Sequence, residues 1–74
     1  PNPFHSQTVF KADFPLNKTT LTMVNSTGQI VREIKPGPGN SVTIDRDNLP
    51  SGLYFIQLVE NNRKILTKKI VIVD

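Results

Sequence analysis

Cysteine and tryptophan are missing from the 74-residue chain, and histidine occurs once. The absence of cysteine removes disulfides, thiolate zinc sites and thiol nucleophiles together, and it leaves the redox compartment open. With one imidazole, any Ser–His–Asp relay has to be built on His5. Its neighbour Ser6 is badly placed as the nucleophile, because adjacent side chains of an extended segment point to opposite faces. His5 is expected to be an exposed loop residue. Long apolar runs are missing as well: Ile70 to Val73 is as long as any, whereas a helix that crosses a bilayer needs ~20 apolar residues. No transmembrane segment is expected. Charged residues make up 20% of the chain and the net charge is +3, too little and too scattered for a nucleic-acid stripe. Apolar residues reach 36%, below the ~45–50% usual for globular domains, so the core should be thin. The chain opens on Pro1 without a signal peptide and reads as a processed product or an excised segment of a larger protein.

What is present is alternation with a period of two, cut at short intervals by turn residues. Thr8 to Phe14 reads as a strand with Phe10, Ala12 and Phe14 on one face, and Pro15 ends it. Thr19 to Val24 follows, with Leu21 and Met23 sharing a face. Asn25-Ser26-Thr27-Gly28 is a turn in which Gly28 supplies positive φ. Gln29 to Ile34 pairs back, with Ile30, Arg32 and Ile34 alternating with Val31 and Glu33. The segment Lys35-Pro36-Gly37-Pro38-Gly39-Asn40 fits neither helix nor strand interior. Ser41 to Asp45 is a short strand, and Asp47 to Gly52 turns the chain. Leu53 to Glu60 carries Tyr54, Ile56 and Leu58 on one side. Asn61-Asn62 suits a two-residue hairpin turn, and Lys64 to Val73 is the last strand. No segment carries a helical stripe. Roughly six or seven short strands at such spacing point to one all-β domain over residues 1–74, an antiparallel sandwich. Phe4, Phe10, Phe14, Leu21, Met23, Tyr54, Ile56, Leu58 and Ile70 are its expected core.

Candidate chemistry is scarce. Asp45-Arg46-Asp47-Asn48 opens like a calcium loop, but Leu49 stands where a third oxygen is needed, and the turn glycine and closing glutamate are absent. A polar turn is expected there, and no metal or cofactor. Asn17-Lys18-Thr19 and Asn25-Ser26-Thr27 match the glycosylation sequon at positions where turns favour asparagine anyway. Arg63, Lys64, Lys68 and Lys69 form a basic cluster that reads first as a solvated face discouraging edge pairing. Nucleic acid would need aromatic platforms among these charges, and Tyr54 is the one candidate, so no nucleic-acid partner is expected. The tail is the exception. From Ile70 to Val73 both faces of a strand are apolar, although an antiparallel sheet usually has one wet face. Such a strand is either covered on both sides or keeps one face for a partner.

Several segments, in order, carry a resemblance. They are Pro1-Asn2-Pro3-Phe4, Asn25-Ser26-Thr27-Gly28-Gln29 with Ile30 and Val31, Ile44-Asp45, Leu49-Pro50-Ser51-Gly52-Leu53-Tyr54-Phe55, and Lys68-Lys69-Ile70-Val71-Ile72. As a set they resemble the carboxyl-terminal sorting domain of cargo of the type IX (Por) secretion system of Bacteroidetes. Asn25 stands where many relatives carry aspartate, and both suit a turn. The resemblance implies an immunoglobulin-like sandwich of about seven strands without activity of its own. It implies an address that the outer-membrane translocon reads, that a sortase-like protease removes, and that sends the parent protein to the cell surface or the medium. It implies that Lys68, Lys69, Ile70, Val71 and Ile72 are the part read most closely. Pro1, Asn2, Pro3, Phe4, Gly28, Gly52 and Tyr54 are then the motif that shapes the fold, and a monomer is expected.

A second reading is an immunoglobulin-like accessory or spacer module of a surface protein. A carbohydrate face would call for exposed aromatics, and one tyrosine without tryptophan offers little to build it from. A small hydrolase lacks a paired base and nucleophile.

Overall fold

A computed structural model of the chain describes residues 6–74. The expectations for Pro1, Asn2, Pro3, Phe4 and His5 therefore lie outside the described residues. Six strands run in order: β1 (Gln7–Lys11), β2 (Thr20–Asn25), β3 (Ile30–Ile34), β4 (Ser41–Asp45), β5 (Gly52–Glu60) and β6 (Arg63–Ile72). Among the described residues there is no helix, and so none long and apolar enough to cross a membrane. The strands form two antiparallel sheets, β1-β4 and β3-β2-β5-β6. Their inner faces enclose one core that joins Phe10 and Ile44 of the small sheet to Leu21, Met23, Tyr54, Ile56, Leu58, Ile70 and Ile72 of the large one. This is the all-β sandwich the alternation predicts, with six strands described where about seven were expected.

The turns follow from the residues in them. Asn61 and Asn62 both hold positive φ, 53° and 62°, as a two-residue hairpin with the twist of its strands requires. At the β2–β3 turn Gly28 takes φ 88° and donates its N–H to the Asn25 carbonyl at 3.0 Å. The Asn25 Oδ1 accepts from the backbone N–H of Thr27 (3.1 Å) and Gln29 (2.9 Å) and from the Thr27 hydroxyl (2.9 Å). An aspartate could accept the same three bonds. Tyr54, almost fully buried, donates its hydroxyl proton to the Pro50 carbonyl at 2.6 Å. A buried tyrosine tied to backbone a few residues upstream is the corner device of immunoglobulin-type sandwiches.

Two local expectations are corrected. The first strand ends at Lys11 rather than Phe14. Beyond it the Ala12 N–H bonds to the Asn40 carbonyl and the Leu16 N–H to the Gly39 carbonyl, both at 2.8 Å. The chain thus folds over the end of the sandwich, burying Leu16 completely and leaving Phe14 outside the core. Second, Ile30 does not share a face with Arg32 and Ile34. Met23 pairs with Arg32, but Val24 pairs with Ile30, so the register shifts by one residue at Val31. A one-residue bulge turns the side chains beyond it to the other face, and Ile30 is 66% exposed. The two apolar faces of the tail strand lie in different surroundings. Ile70 and Ile72 enter the core, while Val71 and Val73 are half-buried.

Candidate functional site

The strand that holds the residues expected to meet a partner, β6, pairs with β5 from Gly52↔Ile72 through Glu60↔Arg63. Side chains of paired residues share a face, so Lys68 and Leu66 lie on the core side opposite Ile56 and Leu58, whereas Lys69 and Val71 lie on the outer side opposite Phe55 and Leu53. The two lysines, adjacent in sequence, therefore serve different surfaces. Every side chain from Arg63 to Lys69 is exposed. The core thus takes in only the last part of β6, at Ile70 and Ile72.

On the core side Lys68 reaches a groove between β6 and β1, lined by Phe10, Lys11, Ala12, Asp13, Phe14 and Leu66. Aromatic, aliphatic and charged residues, among them Asp13 and a lysine from each sheet, line it together. On the outer side the register aligns Ile30, Val24, Phe55 and Lys69 across the four strands, with Leu53 and Val71 in the adjoining row. Ile30 and Leu53 are exposed and Phe55 and Val71 are half-buried. The outer face of the large sheet thus carries an apolar patch next to a lysine, where a solvated face usually carries polar groups.

The far end of β6 is held by the loop between β4 and β5. The Arg46 guanidinium donates to the Leu49 carbonyl (Nε, 2.9 Å), the Val73 carbonyl (Nη1, 3.1 Å) and the Asp74 carboxylate (Nη2, 2.6 Å). Asp74 is held below the usual carboxylate range, first by the hydrogen bond from Arg46 and then by its charge. Arg32 meets the same loop from β3. It donates to the carbonyls of Asp45 and Arg46 and pairs with the Asp47 carboxylate at 3.2 Å. Asp47 sits at φ 53°. The would-be calcium loop is thus a turn whose acid is engaged by a guanidinium, and among the described residues no three acidic or imidazole groups converge on a metal site.

The fold therefore gathers Lys68, Lys69, Ile70, Val71 and Ile72 on one edge strand, with two of them inside the core. Gly28, Gly52 and Tyr54 fall at the β2–β3 turn and the start of β5. Sequence reasoning missed Arg32, Arg46 and Asp74. Arg32 carried a faint signal, a charge on an otherwise apolar alternating face. Arg46 and Asp74 stand 28 positions apart, and nothing local links them.

A family model described as the secretion system C-terminal sorting domain matches residues 1–73. No curated protein and no solved structure matches the chain.

Proposed function

From the premise that the chain belongs to the secretion system C-terminal sorting domain family, we propose that it is the terminal module of a larger exported protein. In this reading β6 is the element that the export machinery reads. Proteins with this domain travel through the type IX system to the cell surface or the medium, and the family is one of sorting signals rather than catalysts. Interaction with that machinery follows from the family. An outer-membrane translocon as direct reader, and a sortase-like protease as remover of the domain, complete the proposal.

The observation that carries this reading is the division of labour within β6. Ile70 and Ile72 are 3% and 1% exposed, so in the folded domain their part is to anchor the strand. Lys68 and Lys69 stand on opposite faces of the exposed edge, with Val71 half-buried beside Leu53. A partner gripping the edge would meet an ammonium on each face and an apolar strip on the outer one, combining charge complementarity with burial. Gly28, Gly52 and Tyr54 act through the fold. The matched family gives no support to the accessory or carbohydrate-binding module.

The test is a reporter with an amino-terminal signal peptide and residues 1–74 at its carboxyl end, expressed in a type IX-competent bacterium and in a translocon-deficient sibling. Surface or medium localisation in the competent strain alone is the expected result. Retention of the folded fusion in the periplasm of both strains refutes the reading.

A further inference from the structure

We propose that Arg46 is the positioning residue of the sorting strand: a clasp, supplied by the β4–β5 loop, that holds the end of β6 where sheet pairing has stopped. The β5–β6 ladder ends at Gly52↔Ile72. Beyond that pair no β5 residue is in register with Val73 or Asp74, and Arg46 takes over with one hydrogen bond to the Val73 carbonyl and one to the Asp74 carboxylate. The planar fork of a guanidinium can serve both acceptors at once while its Nε holds the Leu49 carbonyl.

Arg46 is itself fixed before its side chain reaches the tail. Its N–H donates to the Ser6 carbonyl at 2.9 Å, and its carbonyl accepts from the Leu49 N–H at 3.1 Å and from Arg32 Nη2 at 3.2 Å. Its side chain is 19% exposed, so little of the fork is spent on solvent. The loop, the entry to β1, β3 and the tail therefore meet at one residue. The Leu49-Pro50-Ser51-Gly52 stretch, tied down by the Tyr54 hydroxyl, gains a direct role: it places the clasp. Strand ends fray when nothing continues their pairing, so without Arg46 the end of β6 opens from Val73 inward, towards Ile72 and the residues a partner reads. The consequence for export rests on the sorting reading above, whereas the clasp itself does not.

Two measurements separate these parts. On the 74-residue chain, Arg46→Ala is expected to lower amide-exchange protection of residues 71–73 at least tenfold while the β2 amides keep theirs. It is also expected to raise the Asp74 carboxyl towards its ordinary titration range, because the hydrogen bond and charge of Arg46 are the first causes of its depression. Arg46→Lys should restore part of the protection, because one ammonium cannot span both acceptors. Asp74→Ala, at an exposed side chain that cannot unfold the domain, should fall between wild type and Arg46→Ala. Unchanged protection in Arg46→Ala, or full recovery in Arg46→Lys, overturns the clasp. In the reporter fusion, Arg46→Ala should be exported several-fold less than wild type, and wild-type export despite a loosened tail overturns the positioning role. A fusion lacking residues 68–74 that is still exported refutes the address reading and the export role with it, while exchange and titration still decide the clasp.

Discussion

Gly28 and Gly37 have equal room around them but different backbones. A Cβ built at either position meets nothing within 4 Å, yet Gly28 holds φ +88° and Gly37 carries no such strain. Gly28→Val should therefore destabilise the domain by about 1–3 kcal/mol through backbone strain alone. Gly37→Ala should be neutral or slightly stabilising, because it narrows the unfolded ensemble. Urea titration of the two variants checks the contrast, and equal midpoints would contradict it. Asp74 supplies the pH prediction. Its carboxyl is depressed from 3.8 by Arg46, so the folded chain binds that proton less readily than the unfolded one. Its contribution is complete above the unfolded value and is lost as the pH falls through the folded one. Melting temperatures of wild type and Asp74→Asn should therefore run parallel from pH 7 to 5 and converge only below about pH 4. A constant gap down to pH 2 would count against the ion pair. The Gly28 turn and the asparagine hairpin were legible in the sequence because positive φ is a property of single residues. The guanidinium contacts were not, because they join residues that only the fold brings together.

At the scale of the element, β6 combines two strands of different character. From Arg63 to Lys69 it is a solvent-facing edge, and from Ile70 onward alternate side chains enter the core. Truncation should separate the two. Ile72→Ala removes a side chain 1% exposed and should cost about 2–5 kcal/mol, lowering export by unfolding the domain. Lys68→Ala with Lys69→Ala should leave the melting temperature nearly unchanged, since exposed lysines contribute little to stability. The doubly apolar tail was visible as an anomaly, and its resolution needed the register. Pairing assigns Ile70 and Ile72 to the core and sets Val71 beside Leu53 on the outer face. The face of Ile30 could not be read from alternation, because a single bulge at Val31 reverses the pattern there.

At the scale of the molecule, a cysteine-free chain encloses its core between a two-stranded and a four-stranded sheet. The inner positions of β2 and β5 were legible because an apolar residue recurs at every second position, and Leu21, Met23, Tyr54, Ile56 and Leu58 are all buried. Leu16 was not, because it belongs to a connection that closes the end of the sandwich and follows no period. The side chains of Arg63 to Lys69 on the edge strand β6 are exposed in the folded domain, so on the proposed reading the address can be read without any part of the domain unfolding. The export of a correctly folded Lys68→Ala, Lys69→Ala reporter fusion is the sharpest test of such an exposed address. A wild-type melting temperature together with periplasmic retention is the expected result. Surface delivery at the wild-type level would contradict it and would place the signal elsewhere on the domain.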